Sequence, residues 1–411
     1  MPPTYSPAER DRRWRLAREL MDAEDVDALV VYGERESGGP APFALDAYFT
    51  NDRPGTIVVF PRTAGPVVLV PSAAHVGDHM EARRRGEATW VEPRDMRVGR
   101  HAPGVAEVLR EHGLHRAAVG VLGLEPYPLF HLNPIMPHLL WTSLVEMLPQ
   151  VTFKPVWHGF MLRALRQSPE ELAVLRYAAE AGEAMARAMA QAARPGVSEA
   201  DVYAAAVAEA LRRGVSAPGL SLSSGPGFVS SGPPAWSYRP QPPRVLAEGD
   251  VVLAETVCMY GMREAHQRVT LAVGEAHPDV DRAARAARAA YEAGLSALRP
   301  GATFGEVVTA MRRPLEEAGA WSLGPPVHGL NPYGAVAGSG TGLRTLPEAG
   351  PYGLAAPPTI GSDLPLAAGM VFALKPDCVV EGRPAGVGGT VIVGETAPVE
   401  LNTVTTRMLR V

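Results

Sequence analysis

The stretch GDVVLAETVCMYGMREAHQRVTLAVG, residues 249–274, combines apolar, strand-like sequence with side chains that can do chemistry. Its two apolar segments flank a turn, which predicts two adjacent strands. The polar residues on these strands are Glu255, Glu264, His266, Gln267 and Arg268. Carboxylate, imidazole and guanidinium groups in such proximity are typical of a site that moves protons on a polar substrate. The stretch therefore indicates a site that is working, rebuilt or degenerate.

A weak internal repeat relates Glu255 to a second charged residue, Lys375. Residues 193–214 resemble residues 298–319, and each segment follows an Ala-rich helix. Further on, GDVVLAETVC (249–258) resembles GMVFALKPDC (369–378). The C-terminal part thus reads as two copies of a helix-helix-strand-strand unit. Two such halves facing each other would place Glu255 and Lys375 in equivalent positions at a pseudo-twofold cleft.

The elements that must position these residues follow from apolar periodicity and capping signals. Short apolar segments at 27–33, 56–61, 65–72 and 118–126 alternate with helix-like sequence, which predicts an N-terminal α/β domain. A helix is predicted to start at Ser168, with Pro169 in its first turn and Glu171 closing a capping box. We place the two domains at residues 1–158 and 159–411.

Composition limits the kinds of partner and the cellular compartment that can be expected for this chain. The chain has 411 residues, a net charge of −5 and 46% hydrophobic residues, and no basic run indicates a nucleic-acid or membrane partner. Only two cysteines are present, Cys258 and Cys378, so a reducing compartment is the default and both read as small core residues. The N-terminus lacks an apolar signal core, and no apolar run reaches about 18 residues. These features predict a cytoplasmic protein.

The order of motifs resembles the creatinase / aminopeptidase P / prolidase family. The resemblance is carried by LRALRQSPEELAVLRYAAE, the RPGVSEAD turn, the GD-led strand and GMVFALKP, with YFTN and VLGLEP in the N-terminal part. It implies a creatinase-type N-terminal α/β domain followed by a pita-bread domain of mixed α and β structure. It also implies a homodimer in which N-terminal residues such as Tyr127 or His131 reach the partner's cleft.

The family's peptidases hold two divalent metal ions with two Asp, one His and two Glu. By resemblance, the first Asp matches Glu255, the second falls on Ala265, and the two Glu fall on Lys375 and Gly388. The His matches His328 of HGLNPYG in one register, whereas in another register Pro332 takes its place. An ammonium among the ligand positions opposes a metal ion. We therefore predict no metal and no cofactor.

Creatinase itself resembles this fold without metal and acts on a guanidinium-type substrate. Its catalytic His falls on Tyr238 here, and its two substrate-binding Glu fall on Gln267 and Gly388. The pocket has lost anionic groups and gained Lys375. A neutral or anionic small molecule is therefore a better match as substrate than a cationic one.

Roles follow for the candidate catalytic residues. His328 is the predicted general base, Tyr238 an acid or oxyanion donor, Lys375 a fixed cation and Glu255 its partner. The Glu255–Lys375 pair could equally be purely structural. The candidate substrate-binding residues are Gln267, Trp236, His266 and Asp377. If residues 265 and 267 face the site, strand alternation turns 264, 266 and 268 away, and a one-residue bulge would reverse this.

The predicted function is a metal-independent enzyme of the creatinase and Xaa-Pro peptidase type. It would act by acid–base chemistry on a small polar amide or an amino-acid-derived metabolite, as a hydrolase, lyase, cyclase or isomerase. One alternative is a non-catalytic binding protein on a degenerate peptidase fold. A third is a metallopeptidase with atypical ligands. The Gly- and Pro-rich segment 335–368 is predicted to be a loop over the cleft, or a surface excursion.

Overall fold

The computed structural model describes residues 1–34, 44–125, 135–229, 232–322, 324–332, 334–339 and 358–411. The chain forms two compact units, one of Pro3–Ala164 and the other of Leu165–Val411 with Met1–Pro2. The predictions for Tyr127, for His131 and for most of the 335–368 segment lie outside the described residues. Within the described ranges, no helix is both long and apolar enough to cross a membrane.

The N-terminal unit is built on a six-stranded sheet of order β4-β3-β2-β1-β5-β6. The central strand β1 pairs antiparallel with β2 and parallel with β5, and all five β1 residues are buried. Its elements are α1 (Pro7–Glu24), β1 (Ala28–Tyr32), α2 (Leu45–Thr50), β2 (Ile57–Pro61), β3 (Val67–Val70), α3 (Ala73–Arg84), β4 (Met96–Val98), α4 (Ala102–Glu111), β5 (Ala118–Leu122), α5 (His138–Met147), β6 (Thr152–Pro155) and α6 (Trp157–Ala164).

The C-terminal unit has a larger, mainly antiparallel sheet of order β10-β11-β14-β9-β8-β7, to which β15 and β16 add at β14 and β9. Its elements are α7 (Pro169–Ala192), α8 (Glu199–Arg212), β7 (Ser221–Gly225), β8 (Val251–Tyr260), β9 (Arg263–Ala272), α9 (Pro278–Ala297), α10 (Phe304–Glu317), β10 (Val327–Gly329), β11 (Val371–Leu374), β12 (Asp377–Val380), β13 (Arg383–Gly386), β14 (Gly389–Ile392), β15 (Val399–Glu400) and β16 (Leu409–Arg410).

The predicted repeat appears as two helix pairs whose second helices, α8 and α10, start in the same way. Helix α7 packs on α8, and α9 packs on α10. Ser168, Ser198 and Thr303 each cap a helix, and each forms a full capping box with the acidic residue three positions on. Both partners of such a box satisfy backbone N–H groups that the first helical turn leaves open. The predicted start at Ser168 is confirmed.

One face of the β8–β9 hairpin is covered by the first helix pair. Ala254 and Cys258 of β8 and Ala265 and Val269 of β9 share a buried apolar cluster with residues of α7 such as Met185. Side chains alternate along a strand, so the residues between them must face the opposite side of the sheet. That opposite side carries Glu255 together with His266 and Arg268.

Close packing against α7 makes Gly182 a sensitive position. A Cβ added there would collide with the side chain of Gln267. Gly77, within helix α3, has no atom within 4 Å of the place where its Cβ would stand. Both glycines lie inside helices, so they differ chiefly in the space around them.

We expect opposite effects from the same substitution at these two positions. Gly182→Ala should destabilise the protein by about 1–3 kcal/mol, because the core must shift to admit a methyl group. Gly77→Ala should stabilise it by roughly 0.5–1 kcal/mol through helix propensity alone. Chemical denaturation of both variants measures the difference. Equal effects at the two sites would contradict the packing described for Gln267.

Candidate active site

The face of the β8–β9 hairpin that points away from α7 carries two rows of polar side chains. Ser221, Glu255 and Arg268 stand opposite one another on β7, β8 and β9 and form the first row. The next row starts at His266 and crosses β14 and β11 to His328 on β10. Directly opposite residues in antiparallel strands point to the same face. The register of the sheet thus gathers residues that are distant in sequence.

The two histidines meet because the residues between them in the second row are small. Thr390 lies beside His266, since its hydroxyl contacts both the N–H and the C=O of His266. Ala373 pairs with Thr390 on one side and with His328 on the other. The two imidazole rings are 5.6 Å apart between centroids and are inclined by 70°.

Glu255 is the hub of the first row. Its Oε1 accepts from the Lys375 ammonium and lies 2.9 Å from His266 Nδ1, and its Oε2 lies 3.5 Å from an Arg268 guanidinium nitrogen. Burial raises the pKa of Glu255. The Lys375 charge, the His266 hydrogen bond and the His266 and Arg268 charges more than offset this and hold that pKa well below its usual value. Glu255 is therefore ionised at neutral pH.

Both ring nitrogens of His266 face carboxylates. Nδ1 meets Glu255, and Nε2 lies 3.5 Å from Glu264 Oε2. Burial lowers the pKa of His266, but the hydrogen bonds to Glu255 and Glu264 outweigh burial and raise the pKa above 6.5. A carboxylate can only accept, so this environment favours the imidazolium.

His328 is held in the opposite state. Its Nδ1 donates to the carbonyl oxygen of Gly329 at 2.9 Å, which leaves the lone pair on Nε2. Burial, followed by the Lys375 and His266 charges, lowers the pKa of His328 well below 6.5. Two histidines in ring contact thus have pKa values displaced in opposite directions, upward at His266 and downward at His328.

Asp377 joins the cluster through Arg268, whose Nε donates to its carboxylate. Burial raises the pKa of Asp377, and Arg268 opposes that rise. The cluster then holds three acidic groups, Glu255, Glu264 and Asp377, with three basic groups, Lys375, Arg268 and His266. Near-equal charge of both signs is what a buried polar network requires.

The predicted orientation of strand β9 is wrong. Residues 264, 266 and 268 face Glu255, whereas 265 and 267 face the helices. The hairpin pairs without a bulge from Val251–Ala272 to Tyr260–Arg263. Gln267, a predicted substrate-binding residue, is fully buried against α7 and hydrogen-bonds the Thr256 hydroxyl at 2.7 Å. The structure therefore does not bring Gln267 to the cluster.

The other predicted site residues divide between the cluster and the surface. Lys375, Glu255, His328, His266 and Asp377 come together as described. Tyr238 does not: it follows a short 3-10 turn (Ala235–Ser237), is 61% exposed and lies against the Arg239 guanidinium. Trp236 packs edge-on against Tyr203, with ring centroids 5.6 Å apart. Neither side chain contacts Glu255 or Lys375 in the described structure.

Sequence reasoning assigned no role to Glu264 and missed Ser221. Glu264 is 2% exposed, and Ser221 lies directly opposite Glu255 on β7. A compositional signal also marks Lys375: of 39 Lys and Arg residues, only Lys154 and Lys375 are lysine. In a chain that otherwise uses arginine, a lysine at the cleft indicates a need for a compact ammonium.

The donors present do not fit a pair of divalent metal ions. At one of the five ligand positions implied by the resemblance, Lys375 places an ammonium on Glu255. At Gly388, φ is +100° and a Cβ would collide with the Leu374 carbonyl and the Tyr291 ring. Among the described residues, no group of three or more His, Cys, Asp and Glu is arranged to hold a metal ion.

Comparison with known protein families shows the family to which the chain belongs. Residues 173–397 match the family described as "Metallopeptidase family M24", and this match covers more than half of the chain. The chain belongs to metallopeptidase family M24. The matched range takes in the two histidines of the cluster, together with Glu255 and Lys375.

Similar proteins of the M24 family are peptidases by name. The chain is 32% identical over 254 residues to "Probable dipeptidase PepE" of Mycobacterium tuberculosis, which covers 60% of this chain and 62% of that relative. The matched part thus spans less than two thirds of the relative's length.

Solved M24 structures resemble the whole chain. PepE from Mycobacterium ulcerans has a TM-score of 0.69 at 23% identity and covers 99% of both chains. Xaa-Pro dipeptidase from Bacillus anthracis has a TM-score of 0.72 at 16% identity and covers 98% of this chain and 100% of its own. The predicted fold, a creatinase-type N-terminal domain followed by a pita-bread domain, is confirmed.

The Glu255–Lys375 pair generates a prediction for stability. Their side chains are 13% and 10% exposed, so Lys375→Met leaves a mostly buried carboxylate short of one cation. We expect a loss of about 3–5 kcal/mol, less whatever His266 and Arg268 recover. Adding Glu255→Gln should lose less than the sum of the two single variants. Urea denaturation of all four proteins gives this coupling.

Lys154→Met is the matched control for this cycle. Lys154 is the only other lysine, and its ammonium donates to the Glu24 carbonyl oxygen at 2.8 Å. We expect a loss of roughly 0.5–1.5 kcal/mol from that neutral acceptor. Strict additivity of Lys375→Met and Glu255→Gln would contradict a direct pair.

Proposed function

We propose that the C-terminal unit hydrolyses the amide bond of a small dipeptide-like or amino-acid-derived substrate without the metal pair of its family. The observation that carries this proposal is the pair of adjoining histidines with pKa values displaced in opposite directions. Titratable neighbours whose surroundings separate their pKa values are the usual mark of an acid and a base in one site.

The base in this proposal is His328. It is neutral at pH 7 and carries its lone pair on Nε2, so it can take a proton from an attacking water molecule. The water oxygen then bonds to the carbonyl carbon of the substrate. A low pKa makes His328 a weak base, so the carbonyl must be strongly polarised.

Lys375 supplies that polarisation. Its ammonium has three N–H donors, and Glu255 is the only acceptor for them among the described residues. The remaining donors can hold the carbonyl oxygen and stabilise the negative charge that develops on it. Lys375 thus takes the electrostatic part that metal ions play in metal-dependent peptidases.

The acid is His266, acting through Glu255. As the carbon–nitrogen bond breaks, the ionised Glu255 takes the Nδ1 proton of His266, 2.9 Å away, and passes it to the leaving nitrogen. Exchange of protons with solvent after product release then returns His328 to its neutral form and His266 to its protonated form. His266 takes the acid role predicted for Tyr238, because Tyr238 is exposed and apart from the cluster.

The names of similar proteins support an amide substrate. The relatives are named dipeptidase, Xaa-Pro dipeptidase and X-Pro aminopeptidase. These names favour an enzyme over the alternative of a non-catalytic binding protein. The small-molecule substrate, the homodimer and the cytoplasmic location remain part of the proposal.

The deciding experiment is hydrolysis in the absence of metal. Protein dialysed against EDTA, and verified by elemental analysis, is incubated with a dipeptide library and products are measured by mass spectrometry. We expect turnover that EDTA does not reduce, and a loss of about 10²-fold or more in kcat for His328→Asn. Leu211→Ala, at a 63% exposed position on α8, is the control. Activity that vanishes with EDTA and returns with Mn²⁺ would establish the atypical metallopeptidase instead.

The opposed pKa shifts predict a broad pH optimum. The active form needs neutral His328, whose pKa is well below 6.5, and protonated His266, whose pKa is above 6.5. Hence kcat/KM should be level around pH 6.5, fall in acid as His328 gains a proton, and fall in alkali as His266 loses one. In His266→Gln the alkaline limb should disappear. An alkaline limb that persists in that variant would assign the acid to another group.

A further inference from the structure

A two-stranded ribbon lies over the cluster face of the hairpin. Strands β12 and β13 pair with each other, and β13 packs against both β8 and β9. Asp377 starts this ribbon and reaches Arg268 below it. The ribbon therefore covers the face of the hairpin that carries Glu255 and Arg268.

Trp321 pairs with the free edge of β12, the edge that does not face β13. Its backbone pairs with Val379 through two hydrogen bonds of 3.3 and 2.9 Å. Paired residues share a face, and Val379 shares a face with Asp377 two positions earlier. The Trp321 side chain is thus on the same side of the ribbon as the cluster, about 7 Å along the strand from the Asp377 position.

The side chain of Phe228 stacks on that of Trp321. It lies in the loop after β7, which folds back so that Leu222 N donates to Gly232 O at 3.1 Å. The two rings are stacked, with centroids 5.8 Å apart and planes inclined by 26°. Trp321 is 5% exposed, whereas Phe228 is 52% exposed. An aromatic ring half open to solvent, fixed against a buried indole, offers an apolar contact surface.

Strand β7 carries only small side chains on the face that it shares with Glu255. The β7 residues on the Glu255 face are Ser221, Ser223 and Gly225, none larger than serine. The hydroxyl of Ser221 is buried and has no hydrogen-bond partner among the described residues. Strand β7 thus starts beside the polar residues Glu255 and Lys375 and leads, through the loop that follows it, to the aromatic stack.

We infer that the Phe228–Trp321 stack is the specificity wall of the substrate pocket and selects amides that carry an apolar, ring-sized side group beside the reacting bond. This inference rests on the proposed function, because it takes the Glu255–Lys375 end as the place of reaction. A ring of the substrate packs on Phe228, while the carbonyl oxygen lies at Lys375. Ser221 holds a polar group next to that carbonyl.

The test compares matched substrates in wild type and Phe228→Ala. The dipeptides Phe–Gly and Gly–Phe are set against Ala–Gly and Gly–Ala, which differ from them only in the ring. We expect wild type to prefer one of the aromatic dipeptides in kcat/KM by at least about tenfold, and Phe228→Ala to lose that preference. In Phe228→Ala, the rate on the preferred aromatic dipeptide should fall by a larger factor than the rate on its alanine counterpart. Leu211→Ala, another exposed apolar position in the same unit, should keep the preference.

Isothermal titration with phenylalanine amide and alanine amide separates this inference from the proposed function. If wild type hydrolyses no dipeptide, the proposed function fails, but tighter binding of phenylalanine amide that is lost in Phe228→Ala still supports the wall. Equal binding of the two amides by wild type overturns the inference. So does a preference, in rate or affinity, that survives Phe228→Ala.

Discussion

The carboxylate of Glu255 is the constraint around which the C-terminal unit is organised. It is nearly buried and is surrounded by an ammonium, an imidazolium and a guanidinium. A charge in such a place is costly unless every neighbour compensates it, so no member of the cluster can change alone. The hydrogen bond to Glu255 is the main cause that raises the pKa of His266. Burial, and then the positive charge of Lys375 and His266, lowers the pKa of His328.

The surrounding fold shows how the sheet makes room for this network. Thr390 and Ala373 are small, and they let two imidazoles on strands three positions apart come together. Gly388 has a backbone conformation that disfavours side chains, and its neighbours fill the space where a Cβ would stand. On the reverse face, Gly182 admits the Gln267 amide to the helix layer. Thr390 lies beside His266, Ala373 pairs with His328, and Gly182 lies against Gln267.

Much of the fold could be predicted from sequence because its signals are local. The helix starting at Ser168 needs only a cap, a proline and a glutamate close together, and the structure shows the complete capping box. The repeat also predicted that Glu255 and Lys375 would meet, and their contact bears that out. The face of the sheet to which each side chain points was harder to predict, because an offset of one residue moves every side chain of a strand to the other face.

The offset arose at the hairpin turn. The resemblance placed the site on Ala265 and Gln267, whereas the strands pair without a bulge around Gly261 and Met262, both with positive φ. Positive φ at two central residues is the mark of a tight turn that keeps strands in register. Pairing across that turn puts His266 next to Glu255. The stack of Phe228 on Trp321 had no local signal, since the two rings come from different repeats.

Charge balance explains why a lysine can stand where the family's peptidases place a glutamate. Two divalent ions need several carboxylates to neutralise them, and removing the ions alone would leave those carboxylates repelling one another. In this chain, singly charged groups of both signs match one another around Glu255 instead. An ammonium polarises a carbonyl less strongly than a divalent ion. In the function that we propose, this loss falls on transition-state stabilisation, and a reactive or well-positioned substrate supplies the difference, so that the fit of its side group would matter to the rate.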